Sequence, residues 1–362
     1  GSASGLFGRN TVGGLINVTS RLPDTHWTGG LETTAGSYQA REALLRFSGP
    51  LDGDRLGTSF AGGYATRDGY TKNSVTGHDL DAREAWFGKF QLRWQPSPEF
   101  SARLLVSDER DRDGDYALGD LAALRRNARS VSRDFEGYTR RDVTAPTLQL
   151  DYRGKQLQIS SVTGGVWWKT SDATDLDCTA APLITRRNDE KARQLTQEFR
   201  LASPADQALA VTGDCTLRWQ AGVFLFDQDY DQSVWSNLSP YVAQTPFPLR
   251  DQTDATLRDQ SAGVFGQGVF TIGRQWDLTL GLRFDREQKD ADLSAYVVPA
   301  VAPGSAVNTS RSFSAWSPRV AAACYVATDI RMYASAAHGF KAGGFNAIAA
   351  AALMLVNALA SY

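Results

Sequence analysis

The chain has 362 residues, a formal net charge of -2 and a sequence pI near 6.0, so no overall basic field points to nucleic acid. It carries 33 Gly, 10% aromatic residues and only 2 Met, a balance that favours strands and turns over helices. Three cysteines, Cys178, Cys215 and Cys324, form no CxxC pair, which removes the usual zinc and thioredoxin-like signatures.

At the amino end, residues 1–10 hold neither a basic n-region nor an apolar h-region, so no signal peptide is read there and the chain is expected to start mid-protein. Gly8-Arg9-Asn10 followed by Gly13-Gly14 lacks both the GK[ST] ending and the following helix pattern of a phosphate loop. Residues 15–19 read as a buried strand. Further on, Trp86, Gly88, Phe90, Leu92 and Trp94 alternate with Phe87, Lys89, Gln91 and Arg93. Weaker alternation follows at 100–107, 147–152, 195–201 and 217–225. The strongest stretch sets Trp276, Leu278, Leu280, Leu282 and Phe284 against Asp277, Thr279, Gly281, Arg283 and Asp285, and 330–336 repeats it faintly. Segments of this length suit tilted membrane strands, and about a dozen are readable.

The connections alternate in length. Residues 52–54, 95–98, 153–155, 273–275 and 327–329 read as tight turns, whereas 67–83, 110–145, 169–192, 230–259 and 288–312 read as long polar excursions. Short turns on one side and long loops on the other are the pattern of an outer-membrane barrel. Trp94 and Phe100 flank one short turn, Phe270 and Trp276 another, and Tyr325 precedes a third, as an interfacial girdle requires. No stretch of residues 1–346 reaches the ~20 apolar residues of a membrane helix. The predicted fold class is therefore all-β, an antiparallel transmembrane β-barrel that is only partly present. Ordinary core aromatics of a soluble β-sandwich or propeller are the competing explanation of the same alternation. Cys178 and Cys215 fall at opposite strand ends in this topology, so isolated thiols are expected.

Three segments carry a family resemblance. The run GLFGRNTVGGLINVTSRLP at 5–23, with Gly8, Arg9, Asn10, Gly13 and Gly14, resembles the segment that ends the plug domain of TonB-dependent outer-membrane receptors. LRWQAGVF at 217–224 resembles a barrel strand of the siderophore-receptor type. GFKAGGFN, comprising Gly339, Phe340, Lys341, Ala342, Gly343, Gly344, Phe345 and Asn346, is similar to the family's mid-barrel motif. The resemblance implies the end of a plug domain over 1–26, a partial barrel over 27–346, and an Ala-rich atypical tail over 347–362. It also implies a receptor of the bacterial outer membrane that takes up a ferric siderophore or similar nutrient chelate, with gating driven by the TonB complex through a segment outside this chain. No catalysis and no cofactor are implied. Plugged barrels have about 22 strands, so roughly half of the wall is expected to lie elsewhere. A plugless pore or adhesin-type barrel is the alternative, but it would lack the 8–14 motif.

Candidate ligand-binding residues are the aromatics of the long excursions, Tyr116, Tyr138, Trp167, Trp168, Tyr230 and Trp235, which can stack on a flat or chelated ligand. Which of them face the lumen depends on register. Asp108, Glu109, Asp111, Asp113 and Asp115 crowd one excursion, but Gly114 stands at the wrong offset for an EF-hand and no Glu closes the loop, so a solvated acidic stretch is expected. Arg125, Arg126, Arg129, Arg133, Arg140 and Arg141 could attract an anionic chelate, or lipopolysaccharide phosphates at the rim, although interleaved acids favour plain surface charge. His26, His78 and His338 are too far apart in sequence to suggest a metal site or a triad, and GxSxG is absent.

Overall fold

The computed structural model describes residues 4–8, 11, 15–204, 206–273, 275–327 and 330–347. Arg9, Asn10, Gly13, Gly14 and the tail 348–362 lie outside the described residues.

One 15-stranded antiparallel sheet dominates. Its first strands are β1 (Thr28–Ala35), β2 (Arg41–Asp52) and β3 (Leu56–Arg67), followed, after a small patch, by β6 (Arg83–Trp94), β7 (Phe100–Asp113) and β9 (Tyr138–Arg153). Then come β10 (Gln158–Asp175), β11 (Ile184–Ala202), β12 (Leu209–Thr212), β13 (Cys215–Leu238) and β14 (Leu249–Ile272). The last are β15 (Trp276–Val298), β16 (Ser305–Trp316), β17 (Arg319–Ala327) and β18 (Ile330–Ala337). Neighbours in sequence are neighbours in space from β1 to β18, and these two strands end the path without pairing to each other among the described residues. The wall is thus an open barrel segment. Between β3 and β9, β4 (Thr71–Asn73), β5 (Asp79–Leu80) and β8 (Ser130–Val131) form the separate three-stranded patch.

Polarity is inverted relative to a soluble protein. On the outward parity of β6 and β15, Trp86, Phe90, Trp94, Trp276, Leu280 and Leu282 are exposed, whereas on the inward parity Gln91, Arg283, Asp285 and Glu287 are buried and Phe87 is the exposed apolar exception. Apolar side chains facing out and charged ones facing in are what a lipid-facing wall with a polar interior requires. The outward row continues through Phe199, Val223, Leu225 and Val264. Trp94 and Phe100 meet edge-on at 5.9 Å across a tight turn, at the level of the expected girdle. No helix among the described residues is long and apolar enough to cross a membrane, which says nothing against strands.

The ladders run beyond the belt. Of the excursions read as loops, most of 169–192, 230–259 and 288–312 is strand, with pairs continuing to Asp175↔Thr185, Leu238↔Leu249 and Ala295↔Ser305. Above the lipid both faces of the wall meet water, so apolar alternation fades while backbone hydrogen bonding persists. Alternation had marked the belt, not the strand ends. The tight turns at 52–55 and 154–157 close with Arg55 N to Asp52 O (2.9 Å) and Gly154 N to Leu157 O (3.0 Å). β15 pairs with β16 above and β17 below, and Ser317 exchanges hydrogen bonds with Arg283 at the join, just before Pro318, which has no N–H to donate.

The amino-terminal segment lies against the polar inner face. Arg103 and Gln91 donate to the carbonyls of Ser20 and Arg21 at 3.0 Å, and Asp24 N donates to Ser48 Oγ at 2.7 Å. Arg283 Nη1 reaches Leu6 O at 3.4 Å. Gly8, at φ +74°, leaves no room for a side chain, since a Cβ would stand 2.7 Å from the Arg283 guanidinium. The run 15–19 departs from expectation: it is not a strand, and Ile16 (90%) and Val18 (86%) are exposed. A β-prone run becomes a strand only where another strand pairs with it, and none does so here among the described residues. Residues 339–346 are irregular and cross the inner face, where Phe345 packs on Ala255, Ala291 and Leu293 and Gly343 abuts the Phe313 ring.

Candidate functional site

Register settles which aromatics face which way. Even-numbered residues of β10, β11 and β13 share the inner face with Arg283 and Asp285, because the pairs Trp168↔Ala192, Ala192↔Tyr230 and Tyr230↔Leu257 line up across the ladders. Trp168 and Tyr230 meet there, ring centroids 5.9 Å apart. Around them runs a polar network. Gln232 Nε2 donates to Asn188 Oδ1 at 2.9 Å and Glu190 Oε1 at 3.3 Å, while Asn188 Nδ2 donates to Glu190 at 2.5 Å and Asp172 at 3.1 Å. Burial, then Glu190, push the Tyr230 phenol up, so it stays a donor toward that carboxylate. Burial also raises the Asp172 carboxyl, and Glu190 adds to the shift. Next along this face, Arg141 binds Glu109 at 2.7 Å and Asp111 at 2.5 Å. The constellation offers two aromatic faces flanked by carboxylates and amides, suited to hydroxyl or amine donors on a partly aromatic ligand.

The other candidate aromatics do not join it. Trp167 points to the outer face at 41% exposure, at the upper edge of the belt. Tyr138 also faces out, with Arg140 4.5 Å over its ring, and Trp235 is flanked by Arg187 (5.1 Å) and Arg250 (5.6 Å). Tyr116 is 71% exposed in the 114–137 segment. A cavity of about 930 Å3 opens on this outer face above the belt, lined by Lys169, Arg187, Asp189, Lys191, Asp231 and Asp254 among others. Its size does not make it the ligand site of a barrel, whose lumen lies on the opposite side of the wall.

The acidic and basic runs are split by strand alternation. Asp108 meets Thr144 and Arg110, Glu109 and Asp111 meet Arg141, and Asp115 meets Arg133, so the five acids form no single cluster. Among the arginines, Arg129 Nη1 donates to the Tyr38 hydroxyl at 2.7 Å, Arg133 is buried, and Arg140 and Arg141 face opposite ways. His26, His78 and His338 bond separately to Thr25, Glu136 and the Trp316 carbonyl. Cys178, Cys215 and Cys324 are free thiols. Asp172, Asn188, Glu190 and Gln232 are not legible in the sequence because they sit in ranges read as loop. The i, i+2 spacing of Asn188 with Glu190 and of Tyr230 with Gln232 is the available signal.

Comparison with known proteins agrees with the fold of the wall. Residues 26–358 match the model of the TonB dependent receptor-like β-barrel family. The fold resembles the ferric yersiniabactin uptake receptor FyuA of Yersinia pestis (TM-score 0.77, 19% identity, 97% of this chain and 52% of that one). It also resembles the siderophore receptor PiuA of Acinetobacter baumannii (TM-score 0.70, 14% identity, 94% and 53%). A ferrioxamine receptor of Yersinia enterocolitica is 28% identical over 116 residues, 32% of this chain and 15% of that protein. The chain spans about half the length of these solved receptors. With its inverted polarity, its meander of neighbouring strands and a family match over most of its length, the chain belongs to the TonB-dependent receptor-like β-barrel family.

Proposed function

We propose that the chain is part of an outer-membrane receptor that takes up a ferric siderophore or a similar nutrient chelate. The observation that carries this reading is the inner-face constellation of Trp168, Tyr230, Glu190, Asn188 and Gln232 above the lipid belt, where a ligand descending the lumen meets it. The named relatives, receptors for ferric yersiniabactin and ferrioxamine, support an iron chelate as cargo. Residues 1–26 act as the end of a plug, 27–346 as wall, and 347–362 as an atypical tail. The contacts of Arg283 with Leu6 and of Arg103 and Gln91 with Ser20 and Arg21 support a plugged lumen over an open pore. Uptake draws on the TonB complex, and the outer cations Lys169 and Lys191 meet lipopolysaccharide phosphates. Catalysis has no part in this function.

The test is uptake of radiolabelled ferric siderophores by cells that carry or lack the full-length gene, each with and without TonB. Loss of uptake of at least one chelate in both deletions is expected. Uptake that survives deletion of the gene for every chelate tried, or recovery of the product outside the outer-membrane fraction, refutes the proposal.

A further inference from the structure

The 114–137 segment returns to the wall at a buried charge cluster that the uptake reading does not use. Arg133 is fully buried, and its terminal nitrogens are committed: Nη2 to Asp115 Oδ2 at 2.6 Å and Thr174 Oγ1 at 3.2 Å, Nη1 to Tyr116 O at 2.7 Å. Beside it, Asp134, Asp175 and Asp177 each bring one carboxylate oxygen to within 4.8 Å of the others. They come from three places: the 114–137 segment, the last residue of β10 and the turn that follows it. Asp177 is held in position by the backbone N–H groups of Thr179 (3.1 Å) and Ile184 (2.7 Å), and Asp134 N donates to Thr179 O at 3.0 Å.

Two observations point to a cation-binding site. Asp175 is 1% exposed, and while Oδ1 accepts from Cys178 N at 2.9 Å, Oδ2 has no hydrogen-bond donor among the described residues. Among the described residues the cation that faces it is Arg133, whose Nε lies 3.6 Å away. Asp134 Oδ1 is likewise buried and without a donor. Buried carboxylates are paired or bound to metal, and an unsatisfied one demands an explanation. Closing Arg133 Nε onto Asp175 would satisfy that oxygen alone, leaving Asp134 Oδ1 without a donor and one guanidinium against Asp115, Asp134, Asp175 and Asp177.

We propose that Asp134, Asp175 and Asp177 form a calcium site that fastens the 114–137 segment to the β10–β11 hairpin. The donors are hard oxygens on irregular backbone, which suits the six to eight ligands and loose geometry of calcium better than the strict octahedron of magnesium. Water and nearby carbonyls complete the shell. The bound ion cross-links two hairpins and restrains the segment that carries Tyr116.

The test uses the full-length protein in detergent, stripped with chelator and titrated with calcium alone and with magnesium alone by calorimetry. One calcium per chain is expected at a Kd of about 10⁻⁴–10⁻³ M, the range of extracellular modules, with magnesium at least about tenfold weaker. Calcium also slows trypsin cleavage after Arg125, Arg126 and Arg129. Asp134→Asn and Asp177→Asn each weaken calcium binding at least about tenfold, while heat-modifiable gel mobility, the mark of a folded barrel, is retained. No binding up to about 10 mM calcium, equal binding of magnesium, or parental affinity in both variants overturns the proposal.

Discussion

Leu280→Arg tests the direction in which the wall faces. Leu280 is 43% exposed and stands between Gly268 of β14 and Val320 of β17, the latter 48% exposed. It is the middle of the outward row Trp276, Leu278, Leu280, Leu282 and Phe284. At about 3.4 Å per residue this row is roughly 27 Å long, and at a tilt of about 40° it spans roughly 21 Å, close to the ~25 Å apolar band of a barrel. An arginine at that depth costs about 2–4 kcal/mol, a loss of roughly 30- to 700-fold in the folding equilibrium. Ser294→Arg lies on the same face of the same strand, roughly 35 Å higher, and is expected to change stability by under about 0.5 kcal/mol. Denaturant unfolding of the full-length protein in lipid vesicles, followed by heat-modifiable mobility, measures both. If the two substitutions cost the same, the belt does not sit in lipid. A soluble sheet would tolerate an arginine at a half-exposed leucine almost as well as at Ser294.

Three further outcomes are expected. Arg283→Met orphans buried Asp285, which it grips at 2.7–2.9 Å, and should cost about 3–5 kcal/mol, while adding Asp285→Asn recovers part of that loss in a double-mutant cycle; additive losses would contradict the pairing. Tyr230→Phe and Trp168→Ala are expected to weaken chelate binding to purified receptor about tenfold or more at unchanged stability, whereas Trp167→Ala on the outer face leaves it unaltered; equal effects from all three would place the ligand elsewhere. Burial raises the Asp172 carboxyl in the folded state, so folding favours protonation there relative to the unfolded chain, and its stability contribution is present below the unfolded carboxyl range and lost as pH rises through the folded value. Asp172→Asn should therefore gain on the parent at pH 7 in a stability-against-pH series and lose that advantage at about pH 3, whereas a pH-independent difference would remove burial as the cause.

Much of the wall was legible because lipid imposes a period of two. Trp276 to Phe284 alternate without exception, and the structure places that row outward with Arg283 and Asp285 behind it. The roughly dozen strands expected agree with the path from β1 to β18. The upper halves of β10, β13 and β15 were not legible as strands, since water on both faces removes the pressure for alternation there. The candidate site suffered for the same reason: adjacent Trp167 and Trp168 are indistinguishable in sequence, and only the pairing of Trp168 with Ala192 sends one inward and the other out. The 15–19 run failed differently. Its residues favour a strand, but pairing depends on another segment of chain.

Because β10, β11, β13, β14 and β15 continue as hydrogen-bonded ladders far above the belt, their hairpin ends at 176–183, 239–248 and 299–304 have little free length. A ladder of this kind resists bending across its hydrogen bonds, so these hairpins act as stiff stanchions. The 114–137 segment is built differently: it is pinned near both ends, by Gly114 N to Ala82 O at 2.8 Å, by the buried pair of Asp115 with Arg133 at 2.6 Å and by Lys72 N to Arg129 O at 3.0 Å, so whatever play it has is confined to the span between these anchors, residues 116–128.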